Sequence, residues 1–169
     1  MRETIKFSIV LFLICLVSGG LLASIFHITE PRIIRQRQLE EKRAIEEVLG
    51  QAPEVIEKTE EGDLIFYKAK DAEGNLIAYV FIAGAYGYSS DIRTVASISP
   101  QGEIIKVEIL EHKETPGIGS RITEDEFLSQ FKGKDINEQF DTITGATISS
   151  SCMIDSIKEK ALEVLRHEQ

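Results

Sequence analysis

The feature that most constrains this chain is a segment near its N-terminus, residues 7–29, which contains no Asp, Glu, Lys or Arg. A helix of about 20 apolar residues spans about 30 Å, the thickness of a membrane's hydrocarbon layer. A cleaved signal peptide would have a shorter apolar region ahead of a small-residue cleavage site, and Ala23 and Ser24 form a poor site. We therefore expect residues 7–29 to form a retained transmembrane helix after a short N-terminal tail, residues 1–6.

The composition of the remaining chain indicates one acidic globular domain. The protein has 169 residues, of which 28 are Asp or Glu and 19 are Lys or Arg, so its formal charge is −9. This acidic balance argues against nucleic acid as a partner, because nucleic-acid binding needs a basic face. The two cysteines, Cys15 and Cys152, are too few for a disulfide scaffold or a thiolate metal cluster.

The spacing of apolar residues predicts the secondary structure beyond the membrane segment. Residues 32–49 have helical spacing, with Pro31 at the start and Gly50 and Pro53 after the end. We therefore expect a connecting helix over residues 30–52. Four segments separated by turn sequences favour strands: Leu64–Lys70, Leu76–Ala83, Thr94–Ser99 and Glu103–Leu110.

Two helices are expected after the strands. Thr123 and Glu126 have the spacing of a capping box ahead of a short apolar helix. Periodic apolar residues predict a last helix that begins near Ser149–Ser151. Strands followed by helices indicate an α+β domain over residues 53–169, with an antiparallel sheet packed against helices.

The first candidate ligand-binding segment is AGAYGYSSD, residues 83–91. Its glycines would allow the backbone to approach a flat ligand, with the ring of Tyr86 or Tyr88 beside it. Glycine and tyrosine in a turn between strands are more often structural, so this segment alone is a weak indication of a site.

The second candidate segment is HKETPGIG, residues 112–119, a polar loop that follows the most apolar strand. Pro116 and the two glycines would fix the loop's shape and allow a close fit to a ligand. His112 has no second His or Cys and no paired carboxylates nearby in the sequence. We therefore predict neither a metal ligand nor a catalytic acid or base in this loop.

The third candidate segment is DTITGATISSS, residues 141–151, which places several hydroxyls ahead of the last helix. A helix N-terminus has unpaired N–H groups and positive potential, which suit a phosphate. An ordinary Ser/Thr N-cap would explain one or two of these hydroxyls. It does not readily explain all of them together with the adjacent Gly145 and Ala146.

The run DTITGAT, residues 141–147, resembles the flavinylation motif of the FMN-binding domain family. In that family the hydroxyl of the last Thr is joined to FMN through the phosphate, and a separate flavin transferase makes the bond. The segment ETPGIG, residues 114–119, resembles the family's flavin-lining motif, and AYGYSSD resembles its glycine-tyrosine turn. The order of the three motifs matches the family, and the resemblance covers about residues 60–166.

This resemblance implies a covalent FMN cofactor, attached to Thr147 by a phosphoester, and no metal site. Together with the three candidate segments, the resemblance predicts which residues bind the cofactor: Tyr86, Tyr88, Glu114, Thr115, Pro116, Gly117, Ile118, Gly119, Thr144, Gly145, Ala146, Thr147 and Ser149. No complete active site is expected in the chain itself, because the flavin carries the redox chemistry.

Within the family, the chain resembles members that sit in membrane complexes: the G subunit of Rnf complexes and the C subunit of sodium-pumping NADH:quinone reductase. They imply an electron-transfer subunit of an Rnf-type ferredoxin:NAD oxidoreductase complex, coupled to Na⁺ or H⁺ transport, with other membrane and redox subunits as partners. They also imply a single-pass cell-membrane protein whose head lies outside the cytoplasm. The larger number of basic residues after the membrane segment indicates the opposite orientation, and we give the family more weight.

Two other functions stay open on the sequence alone. The chain could be a non-enzymatic, membrane-anchored sensor, flavin-binding or assembly module, and in a sensor or assembly module the motifs would serve only folding. A stand-alone flavin reductase would need an Arg or His acid beside its substrate, and only Arg93, Arg121 and His112 lie in suitable positions.

Overall fold

The structure is a computed structural model of the chain, and it describes residues 2–50, 55–62 and 64–168, without the side chains of Arg2 and Glu61. The chain divides into two compact units, Met1–Glu40 and Glu41–Gln169. We call the second unit the head.

The first unit is helical. Helix α1, Arg2–Leu49, is long and apolar enough to cross a membrane, and its apolar side chains are exposed from Ile5 to Ile28. Within this stretch, the Ser24 hydroxyl donates to the helix itself, at the carbonyl of Gly20 (2.8 Å). Local hydrogen bonds of this kind allow a polar side chain to enter a medium without water.

Pro31 lies inside α1 and not at the start of a second helix. Proline lacks an N–H and so removes one backbone hydrogen bond, but its fixed φ is compatible with a helix. The helix therefore continues across the predicted boundary between residues 29 and 30. The predicted boundary between residues 52 and 53, with Pro53, lies outside the described residues.

The head contains a five-stranded antiparallel sheet in which neighbours in sequence are neighbours in space, in the order β1-β2-β3-β4-β5. Its strands are β1 (Val55–Glu61), β2 (Leu64–Lys70), β3 (Leu76–Tyr86), β4 (Asp91–Ile98) and β5 (Ile104–Glu111). Two short 3₁₀ segments, Gly119–Thr123 and Ser129–Phe131, flank helix α2 (Asp125–Leu128), and helix α3 (Thr147–His167) ends the head. The predicted α+β fold is confirmed.

Both faces of the sheet are covered. On one face, Phe66 and Phe81 pack in a core that includes Met153 and Ile157 of α3. On the other face, two valines of β3 and β4 pack against the last turns of α1, in a smaller cluster formed by Ile45, Val48, Val80 and Val95. Alternation along each strand sends successive side chains to opposite faces, so the central strands are apolar on both sides.

The ends of two helices differ from the sequence prediction. The capping box does not form: the Thr123 hydroxyl donates to the carbonyl of Ser120 (2.9 Å), and α2 begins after Glu124 without a side-chain cap. The last helix begins at Thr147, earlier than predicted. Ser149 and Ser150 therefore lie inside the helix, and their side chains are buried.

Candidate functional site

All three candidate segments meet at one cavity of about 470 Å³ on the head. The turn between β3 and β4, the loop after β5 and the start of α3 each contribute to its wall. The lining residues are Tyr88, Glu114, Thr115, Ile118, Gly119, Gly145, Ala146, Thr147, Ile148 and Ser149.

The structure brings together nine of the thirteen residues predicted to bind a cofactor, and it adds Ile148. The other four do not line this cavity: Tyr86, Pro116, Gly117 and Thr144. Tyr86 ends β3 as an exposed side chain, and Pro116 and Gly117 are exposed in the loop. Ile148 directly follows Thr147 in the sequence, and this adjacency is the signal that could have pointed to it.

A tight turn precedes α3 and presents Thr147 to the cavity. The N–H of Ala146 donates to the carbonyl of Ile143 (2.9 Å), and Gly145 between them has a φ of 87°, which favours glycine. The buried Ser150 hydroxyl accepts from the N–H of Ile143 (3.0 Å) and lies 2.9 Å from the Ala146 carbonyl. These bonds fix the turn against the helix that follows it.

The hydroxyls of the third segment divide into two groups. The serines have hydrogen-bond acceptors within the protein: Ser149, Ser150 and Ser151. The threonines are exposed, and none of their hydroxyls has a partner within the described part of the chain: Thr142, Thr144 and Thr147. Only Thr147 lines the 470 Å³ cavity, since Thr142 and Thr144 line a separate, more polar cavity of about 310 Å³.

Thr147 is also the first residue of α3. The first N–H groups of a helix have no partner one turn earlier, and the helix dipole makes this end positive. Alanine is the N-cap residue here, and its side chain cannot cap these donors. The arrangement places an accessible hydroxyl beside N–H donors that suit an anion.

The loop after β5 is held by its own hydrogen bonds. The carbonyl of Thr115 accepts from the N–H groups of Ile118 (3.2 Å) and Ser120 (3.1 Å). Gly117 lies at a φ of 72° and donates its N–H to the Ser120 hydroxyl (2.8 Å). The turn presents Thr115 and Ile118 to the cavity while Pro116 and Gly117 form its outer edge.

Glu114 is buried where the three segments meet, with 4% of its surface exposed. Burial by itself would raise the pKa of this carboxyl. Hydrogen bonds from Ser149, from the N–H groups of Ser89 and Ser90 and from the Ser90 hydroxyl offset burial, and the pKa of Glu114 is lowered. The carboxylate is therefore the charged form at neutral pH, and its hydrogen-bond partners are Ser89, Ser90 and Ser149.

His112 has a local structural contact in the same loop: its Nδ1 accepts from the N–H of Glu114 (3.3 Å). No group of three or more His, Cys, Asp or Glu side chains suited to a metal occurs among the described residues.

Large apolar side chains surround the mouth of the cavity. Tyr88 is 68% exposed, and Ile118 and Ile148 are each 52% exposed, one from each of the three segments. Flat apolar ligands are held by such side chains. The cavity thus combines exposed apolar side chains with a helix N-terminus that suits an anion.

Comparison with known families identifies the class of protein that has this fold and site. The sequence matches the FMN-binding domain family over residues 87–162, which contain all the residues that line the cavity. Residues 1–48 match the RnfG N-terminal region.

Two relatives resemble the chain over most of its length. The G subunit of the proton-translocating ferredoxin:NAD(+) oxidoreductase complex of Clostridium ljungdahlii is 31% identical over 162 residues, covering 89% of this chain and 85% of that protein. The G subunit of an ion-translocating oxidoreductase complex of Methanosarcina acetivorans is 30% identical over 172 residues, covering 92% of each. The chain belongs to the family of G subunits of Rnf-type ion-translocating oxidoreductase complexes.

A solved structure has the same fold. NqrC of Shewanella oneidensis superimposes with a TM-score of 0.53 at 22% identity, covering 68% of this chain and 70% of that one. At this identity the likeness concerns the fold alone. Together with its family, the long apolar helix indicates that the chain is a single-pass membrane protein.

Proposed function

We propose that this chain is the membrane-anchored electron-transfer subunit of an Rnf-type complex and that it carries FMN covalently on Thr147. The observation that carries the proposal is the position of that hydroxyl. Of the exposed, unpartnered threonines in the described third segment, Thr147 alone lines the cavity and begins α3.

The residues present fit FMN. A volume of about 470 Å³ lies within the usual range for small-ligand sites, roughly 300–1,000 Å³. The N–H groups at the start of α3 would hold the phosphate that Thr147 bears, and Tyr88, Thr115 and Ile118 would lie along the ring system. A Cβ placed on Gly145 would meet no atom within 4 Å, and Gly145 and the small Ala146 side chain leave space for close approach.

Bound FMN supplies one- and two-electron redox chemistry, and the chain supplies its position. A phosphoester at Thr147 would keep the cofactor from dissociating between electron transfers. The side chains at the mouth of the cavity are exposed, which would leave bound FMN accessible to a partner. This arrangement suits a carrier that passes electrons between other centres of a complex and needs no acid or base of its own.

The rest of the assignment follows the Rnf relatives. We propose electron transfer within a ferredoxin:NAD oxidoreductase complex coupled to Na⁺ or H⁺ transport, as the names of the relatives indicate for those proteins. The match of residues 1–48 to the RnfG N-terminal region favours the Rnf G subunit over the C subunit of sodium-pumping NADH:quinone reductase. We propose residues 7–29 as the membrane span, residues 30–52 as the connection, residues 53–169 as the FMN-binding domain, and an extracytoplasmic head.

The test compares Thr147 with Thr144, which lines the other cavity. The full chain is produced with a flavin transferase, and the intact mass is measured with peptide mapping. The wild type and Thr144→Ala should carry one FMN phosphoryl adduct on the peptide that contains Thr147, and Thr147→Ala should carry none. An adduct that persists in Thr147→Ala, or that is lost only in Thr144→Ala, would overturn the assignment.

A further inference from the structure

The carboxylate of Glu114 joins all three cavity-forming segments. Its Oε1 accepts from the N–H groups of Ser89 (3.1 Å) and Ser90 (3.0 Å) and lies 3.3 Å from the Ser90 hydroxyl. Its Oε2 accepts from the Ser149 hydroxyl at 2.7 Å. One side chain thus connects the loop after β5 to the β3–β4 turn and to the first turn of α3.

Two glycines provide the space for this carboxylate. A Cβ placed on Gly87 would lie 2.6 Å from Oε1 of Glu114, and one on Gly119 would lie 2.7 Å from Oε2. Neither glycine has a positive φ. Both are therefore required for space and not for backbone freedom, and their backbones pack directly on the carboxylate.

We propose that Glu114 is a positioning residue that holds Tyr88 and Thr115 against the turn that presents Thr147, so that the cavity is assembled before FMN is attached. This inference rests on the proposed function. Both carboxylate oxygens are directed at donors of the protein, so Glu114 acts on the cofactor through the segments it joins. Ser89 and Ser90 supply the partner donors and lie outside the residues predicted from sequence to bind FMN.

The effects of substituting Glu114 follow from the groups that donate hydrogen bonds to its carboxylate. Glu114→Ala would leave the N–H groups of Ser89 and Ser90 without their acceptor, and an unpaired buried donor is costly. Glu114→Gln keeps the shape: its amide oxygen can face those two N–H groups, and its NH₂ can donate to the Ser149 hydroxyl, which can turn to accept. The glutamine variant should therefore rescue the arrangement that the alanine variant loses.

The matched control is Asp71, another carboxylate that accepts backbone N–H bonds in a turn. It accepts from Glu73 (2.9 Å) and Asn75 (2.8 Å) in the β2–β3 turn and does not line the cavity. Asp71→Ala removes a similar number of turn hydrogen bonds without touching the three segments.

The experiment measures two quantities on the full chain in detergent. Amide hydrogen exchange at Ser89 and Ser90 is measured on protein made without the transferase, and the flavinylated fraction is measured by intact mass after production with it. We expect Glu114→Ala to speed exchange at both amides roughly ten- to a hundredfold and to lower the flavinylated fraction severalfold. Glu114→Gln should remain close to wild type in both, and Asp71→Ala should change neither.

Three outcomes would overturn the inference: unchanged exchange in Glu114→Ala, flavinylation in that variant equal to wild type, or equal loss of flavin in the Ala and Gln variants with normal exchange. The last would mean that the charge itself acts on FMN. Should Glu114→Ala fail to fold, Ser149→Ala takes its place: it breaks only the link to α3 and should lower flavinylation while Ser89 and Ser90 stay protected. A wild type without covalent flavin would refute the proposed function, and the exchange measurement would still decide the role of Glu114.

Discussion

Gly87→Ala should destabilise the head far more than Gly84→Ala, although the two glycines are three positions apart. A Cβ at Gly87 would lie 2.6 Å from Oε1 of Glu114 and 2.7 Å from Cδ1 of Ile92, whereas a Cβ at Gly84 meets no atom within 4 Å. Neither position has a positive φ. The pair therefore separates the effect of crowding from the general effect of replacing glycine in a strand or turn.

The size of the effect follows from the shift that the new methyl group requires. Cβ atoms essentially never approach a heavy atom closer than 3.0 Å, so Oε1 of Glu114 and the Ile92 side chain must both move by several tenths of an ångström. Overpacking of this kind costs about 1–3 kcal/mol. Moving Oε1 also weakens hydrogen bonds from Ser89 and Ser90, and bonds to a charged acceptor are worth about 1.5–3 kcal/mol each. We expect a loss of about 2–4 kcal/mol, or roughly 8–16 °C in Tm at ~4 °C per kcal/mol.

Near-UV circular dichroism of the full chain in detergent measures this loss selectively. The chain has no Trp, and its four tyrosines all lie in the head, so the tyrosine band of the signal does not report on the membrane helix. Gly84→Ala should keep the wild-type Tm or exceed it slightly, because alanine reduces the freedom of the unfolded chain. Equal Tm values for the two variants would refute the reasoning, since they would show that the carboxylate and Ile92 move aside without cost.

Two further predictions concern hydrogen bonds of the head. Ser97→Ala should lower the free energy of unfolding by about 1–3 kcal/mol, because its buried hydroxyl donates to the carbonyl of Val48 at the end of α1 (2.8 Å). Urea unfolding with an unchanged m-value would check it, and a change within error would contradict it. Stability should also fall as pH drops below about 4.5, because burial alone would raise the pKa of Glu114 but its hydrogen bonds lower it. A carboxyl with a lowered folded pKa stabilises the head above its unfolded pKa and loses that contribution as pH falls through the folded pKa, by at most ~1.4 kcal/mol per pH unit. Urea unfolding between pH 6 and 3 should therefore show a weaker pH dependence for Glu114→Gln.

Most of the sheet could be predicted from the sequence because its central strands carry apolar residues on both faces. Strand β2 has the predicted bounds, and β3, β4 and β5 differ at their ends by a few residues. Strand β1 was missed. Its sequence VIEKTEE is mostly charged, since it lies at the sheet edge and pairs with β2 alone, where Glu57 forms an ion pair with Lys70 (2.6 Å). Charge at an edge strand guards against further pairing, and it also removes the apolar pattern that would reveal the strand.

The environment of each hydroxyl in DTITGATISSS could not be predicted, because it depends on hydrogen bonds that only the folded chain brings together. Ser149 donates to Glu114, which lies 35 positions earlier, and Ser150 accepts from Ile143 across a turn. The chemistry of a helix N-terminus alone made every one of these hydroxyls a candidate for a phosphate, and only the resemblance to the flavinylation motif selected Thr147. The fold buries the two serines as structural donors and acceptors, and this leaves Thr147 as the accessible hydroxyl on the cavity.

The same long-range bonds explain why three separately weak motifs form one site. Each segment has features that occur in ordinary turns: glycines beside tyrosines, a proline-glycine loop, and a Ser/Thr-rich helix start. The donors of the β3–β4 turn and of α3 meet a single carboxylate, that of Glu114 in the loop after β5. The carboxylate needs space on both sides, and glycine at positions 87 and 119 provides that space. The buried carboxylate of Glu114 therefore explains both these glycines and the serines that donate to it.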